Sequence, residues 1–71
     1  MSTKFFEPKK IGENIKRLIK ESEYRTQENF AFSMGADVRT VRRWIHGDID
    51  RISTLNDIAR FLNIDVWTLL N

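Results

Sequence analysis

The segment from Thr26 to Gly47 constrains the fold more than any other part of the chain. It reads TQENFAFSMGADVRTVRRWIHG, with two short amphipathic helical patterns on either side of Gly35. A glycine in this place supplies the positive φ that ends one helix and starts a tight turn. The spacing predicts a helix-turn-helix, in which one helix supports a second helix that is able to enter the major groove of DNA.

The first helix of this motif is predicted to have Thr26 as its N-cap, because a hydroxyl there accepts from the free N–H groups of the first turn. Phe30, Ala31 and Met34 follow at the spacing of one buried helix face. Ala31 is small enough for the second helix to cross closely. The predicted helix is about two turns long.

The second helix is predicted to begin at Val38, because the Asp37 carboxylate suits both the N-cap and the positive end of the helix dipole. At about 100° per residue its apolar side chains fall on one side. They are Val38, Val41, Trp44 and Ile45. Arg39 and Arg43 lie on the opposite side. One face is therefore predicted to join the core, and the other to present guanidinium groups.

A third amphipathic pattern lies before the motif, in residues 8–22. Pro8 suits the first helical position, where its missing N–H is not needed. The apolar side chains of this predicted helix recur at the spacing of one face, and they are Ile11, Ile15, Leu18 and Ile19. Phe5 and Phe6 precede the helix, and the sequence leaves open whether they fold back on the bundle or stay exposed.

Two shorter helices are predicted after the motif. Ser53 is the predicted N-cap of a fourth helix, which Asn63 ends. Its buried face is predicted to consist of Leu55, Ile58, Ala59 and Leu62. Asp65 is the predicted N-cap of a fifth helix over residues 66–70. No strand pattern competes, so the expected fold class is all-α, a compact bundle of about five short helices.

The composition narrows the class of protein further. A length of 71 residues suits one domain over residues 1–71, with residues 1–7 as a flexible start and the helix-turn-helix at about 26–46. The chain has no cysteine, which excludes disulfide and thiolate sites. No apolar run is long enough to span a membrane. We therefore expect an intracellular protein, and the net charge of +2 is a weak indication of nucleic-acid binding.

The motif and its surroundings resemble the Cro/C1-type helix-turn-helix family, which includes phage repressors and Cro proteins. The matching residues are Thr26-Gln27-Glu28, Phe30-Ala31, Gly35, Val41 and Gly47, then Leu55, Ile58-Ala59, Leu62-Asn63 and Leu69-Leu70. The resemblance covers Ile11 to Leu70. It implies a five-helix bundle of the lambda-repressor-like type, sequence-specific binding to operator DNA and a two-fold homodimer. It also implies a transcriptional regulator in the cytoplasm of a bacterial host.

Carried over to this chain, the resemblance places Val38, Arg39 and Arg43 at the base edges of DNA. A guanidinium group donates two hydrogen bonds to O6 and N7 of guanine, worth about 1–3 kcal/mol of discrimination. Val38 is limited to an apolar contact, such as a thymine methyl, and it could equally close the core at the start of its helix. For the two arginines, the alternative is a solvated basic face.

Six side chains are predicted to contact the phosphate backbone. They are Lys20, Thr26, Gln27, Thr40, Arg42 and His46. Gln27 is the clearest of them, because the N-terminus of its helix presents free N–H groups to a phosphate. Such contacts fix the register of a protein on DNA without reading the sequence. The alternatives are a solvated flank for Arg42 and a neutral surface histidine for His46.

The chain departs from the family pattern at three positions that matter for binding. Asp48 and Asp50 lie in the loop after the second motif helix, where the family has basic or polar contacts. These carboxylates weaken the expectation of tight DNA binding. Ile45 stands where the family commonly has an acidic residue, paired with a basic one at the place of Lys20. That pair cannot form here, which leaves Lys20 free to meet phosphate.

An enzyme is the first alternative. His46, Asp48 and Asp50 form an HxDxD run that suggests a metal site only superficially, because no further ligand is near in the sequence. A domain of this size implies no deep cleft. We therefore expect no catalytic activity, metal, cofactor or small-molecule substrate.

A protein-binding module on the same fold is the second alternative, because small proteins of this family also act as antirepressors or antitoxin-like partners. Five apolar residues do not all fit the predicted core faces. They are Phe32, Ile49, Ile52, Phe61 and Trp67. We expect some of them to form a surface for a homodimer or for another repressor protein. The competing interpretation is that the bundle buries them.

Overall fold

The apolar stripe of residues 8–22 forms the longest helix, α1, which spans Pro8–Glu21. The computed structural model describes residues 7–71. Its other helices are α2 (Gln27–Met34), α3 (Val38–Ile45), α4 (Ile52–Phe61) and α5 (Val66–Leu70). The described part of the chain is therefore a small all-α bundle of five helices without strands, as predicted. None of these helices is both long and apolar enough to cross a membrane.

Most of the predicted helix ends are confirmed. The side chains of Thr26, Asp37 and Asp65 each accept a hydrogen bond from a backbone N–H of the helix that follows. Asn63 follows the last turn of α4 with φ 58°, the left-handed conformation that commonly ends a helix. These residues act through bonds to their nearest neighbours, so the local sequence is enough to identify them.

The predicted start of α4 is wrong by two residues. Ser53 is not the N-cap, because the helix begins at Ile52 after an extended Arg51 that makes no side-chain capping bond. The N–H of Thr54 already donates to the carbonyl oxygen of Arg51 at 3.2 Å, so Ser53 lies inside the first turn. A cap preference of about 1 kcal/mol is small enough for the path of the preceding loop to override.

The core lies where α1 packs against the other helices. Phe30 of α2 is the largest fully buried side chain, and the ring of Tyr24 meets it edge-on at 5.3 Å between centroids. The other buried apolar residues are Ile11, Ile15, Ile19, Ala31, Val41, Ile58, Ala59, Leu62 and Leu69. Leu18, Met34 and Leu55, which the apolar pattern also assigns to buried faces, are half-buried against this core. Each of the five helices thus contributes to one core.

A buried hydrogen bond ties the two ends of the domain together. Asn14 of α1 is 2% exposed, and its Nδ2 donates to the carbonyl oxygen of Leu69 in α5 at 2.8 Å. Its Oδ1 accepts from Nη1 of Arg17 at 3.3 Å. With both ends of the amide bonded, its burial carries no penalty from an unsatisfied polar group. The apolar pattern alone does not identify this contact.

Gly12 allows the backbones of α1 and α3 to touch. A Cβ atom at Gly12 would overlap the carbonyl oxygen of Ile45, the last residue of α3. Glycine in the middle of a helix is destabilising by about 1 kcal/mol relative to alanine, so its presence here is explained by this close approach. The contact fixes the position of α3 relative to α1.

Candidate nucleic-acid interface

The two helices predicted on either side of Gly35 are present, each eight residues long, and a tight turn joins them. Gly35 has φ 73°, in the left-handed region that ends α2. The N–H of Ala36 donates to the carbonyl oxygen of Ala31 at 2.9 Å, which closes the turn, and Asp37 then caps α3. The geometry between residues 26 and 46 therefore follows from one glycine and two caps, as the sequence predicts.

The helix α3 has the two faces that its spacing predicts. Val41 is fully buried, and Val38, Trp44 and Ile45 are half-buried against the core. Arg39 and Arg43 are exposed on the opposite side, with 83% and 68% of their side-chain surface accessible. We call this exposed side of α3, defined by Arg39 and Arg43, the arginine face. Val38 packs on the core, which favours its structural role over a contact with a base.

Each arginine of α3 is paired with a carboxylate of the same chain. Both Nε and Nη2 of Arg43 lie 3.0 Å from Oδ2 of Asp48. Nη2 of Arg42 lies 3.0 Å from Oε2 of Glu28, and Nη2 of Arg39 lies 3.8 Å from Oδ2 of Asp37. These are the only charged residues between positions 26 and 48 apart from His46, so three positive charges meet three negative ones. Leaving His46 aside, residues 26–48 therefore carry no net charge.

A shallow groove of about 390 Å³ lies beside the start of α2. Its lining brings together four of the predicted phosphate-contacting residues, Lys20, Thr26, Gln27 and Arg42. The remaining lining residues are Lys16, Ile19, Arg25 and Glu28. We call this set of eight residues the basic groove, because it holds four cationic side chains against one carboxylate. Arg42 lines this groove from α3, so the groove borders the arginine face.

The backbone at the start of α2 adds donors to this groove. Thr26 caps the helix by accepting a hydrogen bond from the N–H of Asn29. The backbone N–H groups of Gln27 and Glu28 have no acceptor within the described residues. Free N–H groups at a helix N-terminus carry partial positive charge and suit an anion. Within residues 7–71, Lys16 and Lys20 have no carboxylate partner within 4.0 Å. The basic groove is therefore the electropositive part of this surface.

Two predicted phosphate contacts lie outside the basic groove. Thr40 is half-buried and borders a second shallow groove with Arg43 and Asp48. His46 is exposed after the last turn of α3, beside Lys9 of α1. The structure does not bring these two residues together with the other four, so the predicted set divides into separate groups.

Four of the five apolar residues proposed for a protein interface are exposed. They are Phe32 (86%), Ile52 (76%), Trp67 (61%) and Phe61 (38%). Ile49 is instead half-buried against the core, as the competing interpretation expects. Ile52 and Phe61 lie nine residues apart on α4, about 180° around the helix, so they do not share a face. The prediction for Phe5 and Phe6 lies outside the described residues.

Two cationic members of the basic groove, Lys16 and Arg25, are not among the six predicted phosphate contacts. Lys16 is four residues before Lys20 and therefore lies on the same side of α1, a signal that the sequence does contain. Arg25 has φ 68°, a conformation that non-glycine residues adopt uncommonly. No sequence pattern predicts this conformation of Arg25.

The described residues do not bring together a set of side chains that could hold a metal ion. Within residues 7–71 no group of three or more His, Asp or Glu side chains is placed to hold a metal ion. His46 and Asp48 belong to different grooves, and the carboxylate of Asp48 is occupied by Arg43. The HxDxD run is therefore spread along a turn without converging on one point.

No protein-family model, curated protein or solved structure matches this chain. The site is defined by its own geometry: a basic groove at the start of α2, and a neutralised arginine face on α3 beside it.

Proposed function

We propose that this chain is a sequence-specific DNA-binding transcriptional regulator of phage or bacterial type, acting in the cytoplasm. The observation that carries the proposal is the adjacency of the basic groove and the arginine face. One region offers unpaired cations and free N–H groups to phosphate, and the other offers guanidinium groups to base edges. Arg42 belongs to the flank that joins them.

The basic groove would position the protein on the phosphate backbone. Lys16, Lys20 and Arg25 supply charge, and the N–H groups at the start of α2 supply directed donors. Gln27 is half-buried and lines the groove at the first residue of α2. These contacts set the register and depth at which α3 meets the duplex.

The arginine face would read the major groove. An α-helix with its side chains is about 10–12 Å across, which fits the major-groove width of about 12 Å. Arg39 lies in the first turn of α3 and Arg43 in its second half, so the two span about one helical turn. Each is suited to a guanine, provided that it leaves its carboxylate partner or shares it. Exposed pairs of this kind are worth about 0–1 kcal/mol, so they are readily exchanged.

A homodimer would place two copies of α3 about one turn of DNA apart, roughly 34 Å between equivalent helices. The sites would then be near-palindromic. The exposed apolar side chains Phe32, Ile52 and Trp67 are available for such an association.

Selection of bound duplexes from a random pool tests this proposal. We expect purified protein at moderate salt to enrich one sequence with two related half-sites. Salt-sensitive binding without enrichment would contradict sequence reading, because phosphate contacts alone produce that behaviour.

The second candidate function is an antirepressor or antitoxin-like module that binds another regulator. The observation favouring it is the pairing of all three α3 arginines with carboxylates, together with the 86% exposure of Phe32. Neutralised charges and an exposed aromatic ring each suit a protein partner better than they suit phosphate. The same selection separates the two functions, since a protein-binding module enriches no duplex.

A further inference from the structure

The carboxylate of Asp48 is held beside Arg43 by the turn that ends α3. The N–H of Asp48 donates to the carbonyl oxygen of Arg43 at 2.9 Å, and that of Gly47 donates to Trp44 at 2.9 Å. This pair of bonds is a common helix ending and fixes the backbone of the loop. Asp48 is thereby placed so that its Oδ2 meets two nitrogens of Arg43, both at 3.0 Å.

Stability does not explain this arrangement. The side chains of Arg43 and Asp48 are 68% and 59% exposed, and pairs at that exposure contribute little to folding. The Asp48 carboxylate instead affects which ligands the guanidinium group of Arg43 binds. A phosphate that approaches Arg43 also approaches the carboxylate of Asp48, so the net attraction of this part of α3 for the DNA backbone is small.

A guanine base suits the paired side chain of Arg43 better than a phosphate does. Its O6 and N7 accept two parallel hydrogen bonds from one guanidinium group, and the base edge carries no formal charge to repel Asp48. We infer that Asp48 is a specificity-determining residue: it suppresses binding of Arg43 to random DNA more than binding to the target sequence. This inference rests on the proposed function.

The other two arginines follow the same pattern from different elements. Glu28 reaches Arg42 from α2, and Asp37 reaches Arg39 from the N-cap of α3. Arg42 and Glu28 line the basic groove, but the two lysines of that groove, Lys16 and Lys20, have no such partner among residues 7–71. Non-specific attraction is therefore concentrated in the basic groove, and the arginine face adds to binding mainly where the bases match.

The test compares Asp48→Asn with Asp57→Asn. Asp57 forms an equally exposed pair with Arg60, at 2.9 Å, on α4 and outside both regions. Asparagine keeps the shape of the side chain and removes its charge, and a thermal melt establishes that each variant folds. The dissociation constant of each protein is measured on a random-sequence duplex and on the duplex enriched by selection, over 50–200 mM salt.

We expect Asp48→Asn to bind the random duplex about 5–10-fold more tightly at 0.1 M salt, with a salt slope steeper by about one. The enriched duplex should gain less, so the specificity ratio falls. Asp57→Asn should match the unmodified chain. An Asp48→Asn protein that matches Asp57→Asn on both duplexes would overturn the inference, and so would equal gains or any loss of affinity on both.

The proposed function and this inference fail in different ways. If the unmodified chain enriches no duplex, the proposed function is wrong and the inference is wrong with it. If a duplex is enriched and its specificity ratio is unchanged by Asp48→Asn, the inference alone is wrong.

Discussion

The basic groove and the arginine face lie side by side, but they differ in whether a carboxylate neutralises their cationic side chains. In the groove, the lysines Lys16 and Lys20 have no carboxylate partner within the described residues. On the arginine face, Arg39 and Arg43 are each paired with an aspartate. The difference shows that the number of basic residues alone does not determine the local charge of a surface. What decides the local field is whether each cation has a neighbouring anion.

The largest expected effect is on stability, and it comes from disturbing the packing of α1 against α3. These two helices carry the lysines of the basic groove and the arginine face. Gly12→Ala forces α1 and α3 apart, because the added Cβ overlaps the carbonyl oxygen of Ile45. We expect a loss of about 3 kcal/mol in the free energy of unfolding, at the upper end for overpacking. Thermal and urea unfolding measure it. Glu13→Ala, at the next and exposed position of α1, is the control. Equal stability of the two variants would contradict the close approach described above.

The next effect should come from the basic groove. The double change Lys16→Gln and Lys20→Gln is expected to weaken binding to every duplex by on the order of 50-fold at 0.1 M salt, and to reduce the salt slope by about 1.8. Lys10→Gln, at an exposed position outside the groove, supplies the comparison. A change in the preferred sequence would show that the groove reads bases, contrary to its assigned role.

A smaller and selective effect is expected from the arginine face. Arg43→Ala should lose about 1–3 kcal/mol of discrimination at one base pair of the enriched duplex. Binding to random duplexes should weaken as well, because Asp48 is left without its partner, so the loss of discrimination is measured as the extra loss at that base pair beyond the loss on random duplexes. A panel of single base-pair variants of the enriched duplex measures this. If all duplexes weaken equally, Arg43 contacts phosphate and the base-reading assignment is wrong.

The smallest effect should come from Gln27. Replacing it with alanine removes the side-chain amide and leaves the backbone N–H groups of α2 in place, so we expect uniform weakening by about 1 kcal/mol, or roughly fivefold. Thr26 keeps its capping bond, and the helix should remain folded. The same panel of duplexes reveals the outcome, and an altered order of preference among them would refute a purely positioning role.

The local parts of this architecture could be predicted from the sequence. The caps Thr26, Asp37 and Asp65 and the turn at Gly35 depend on residues within three or four positions, and all four are present in the structure. The start of α4 at Ile52 could not be predicted, because the loop before it decides between several weak caps.

Contacts between helices that are distant in the chain could not be predicted from the sequence. The carbonyl group of Ile45 meets Gly12, and Glu28 meets Arg42, only because α1, α2 and α3 pack at particular angles. The apolar spacing fixes which side of each helix is buried, but several packing angles satisfy the same spacing. The ion pair between Arg43 and Asp48 is closer in sequence, yet it depends on the ending that Gly47 gives to α3.

The most direct test of the proposed reading of DNA is an NMR titration of the labelled protein with the duplex enriched by selection. We predict that the backbone amides of Gln27 and Glu28 shift together with the side-chain N–H signals of Arg39 and Arg43. Signals around Trp67 should stay in place or report dimer formation only. Shifts confined to the exposed apolar residues, or none at all at saturating duplex, would contradict the account.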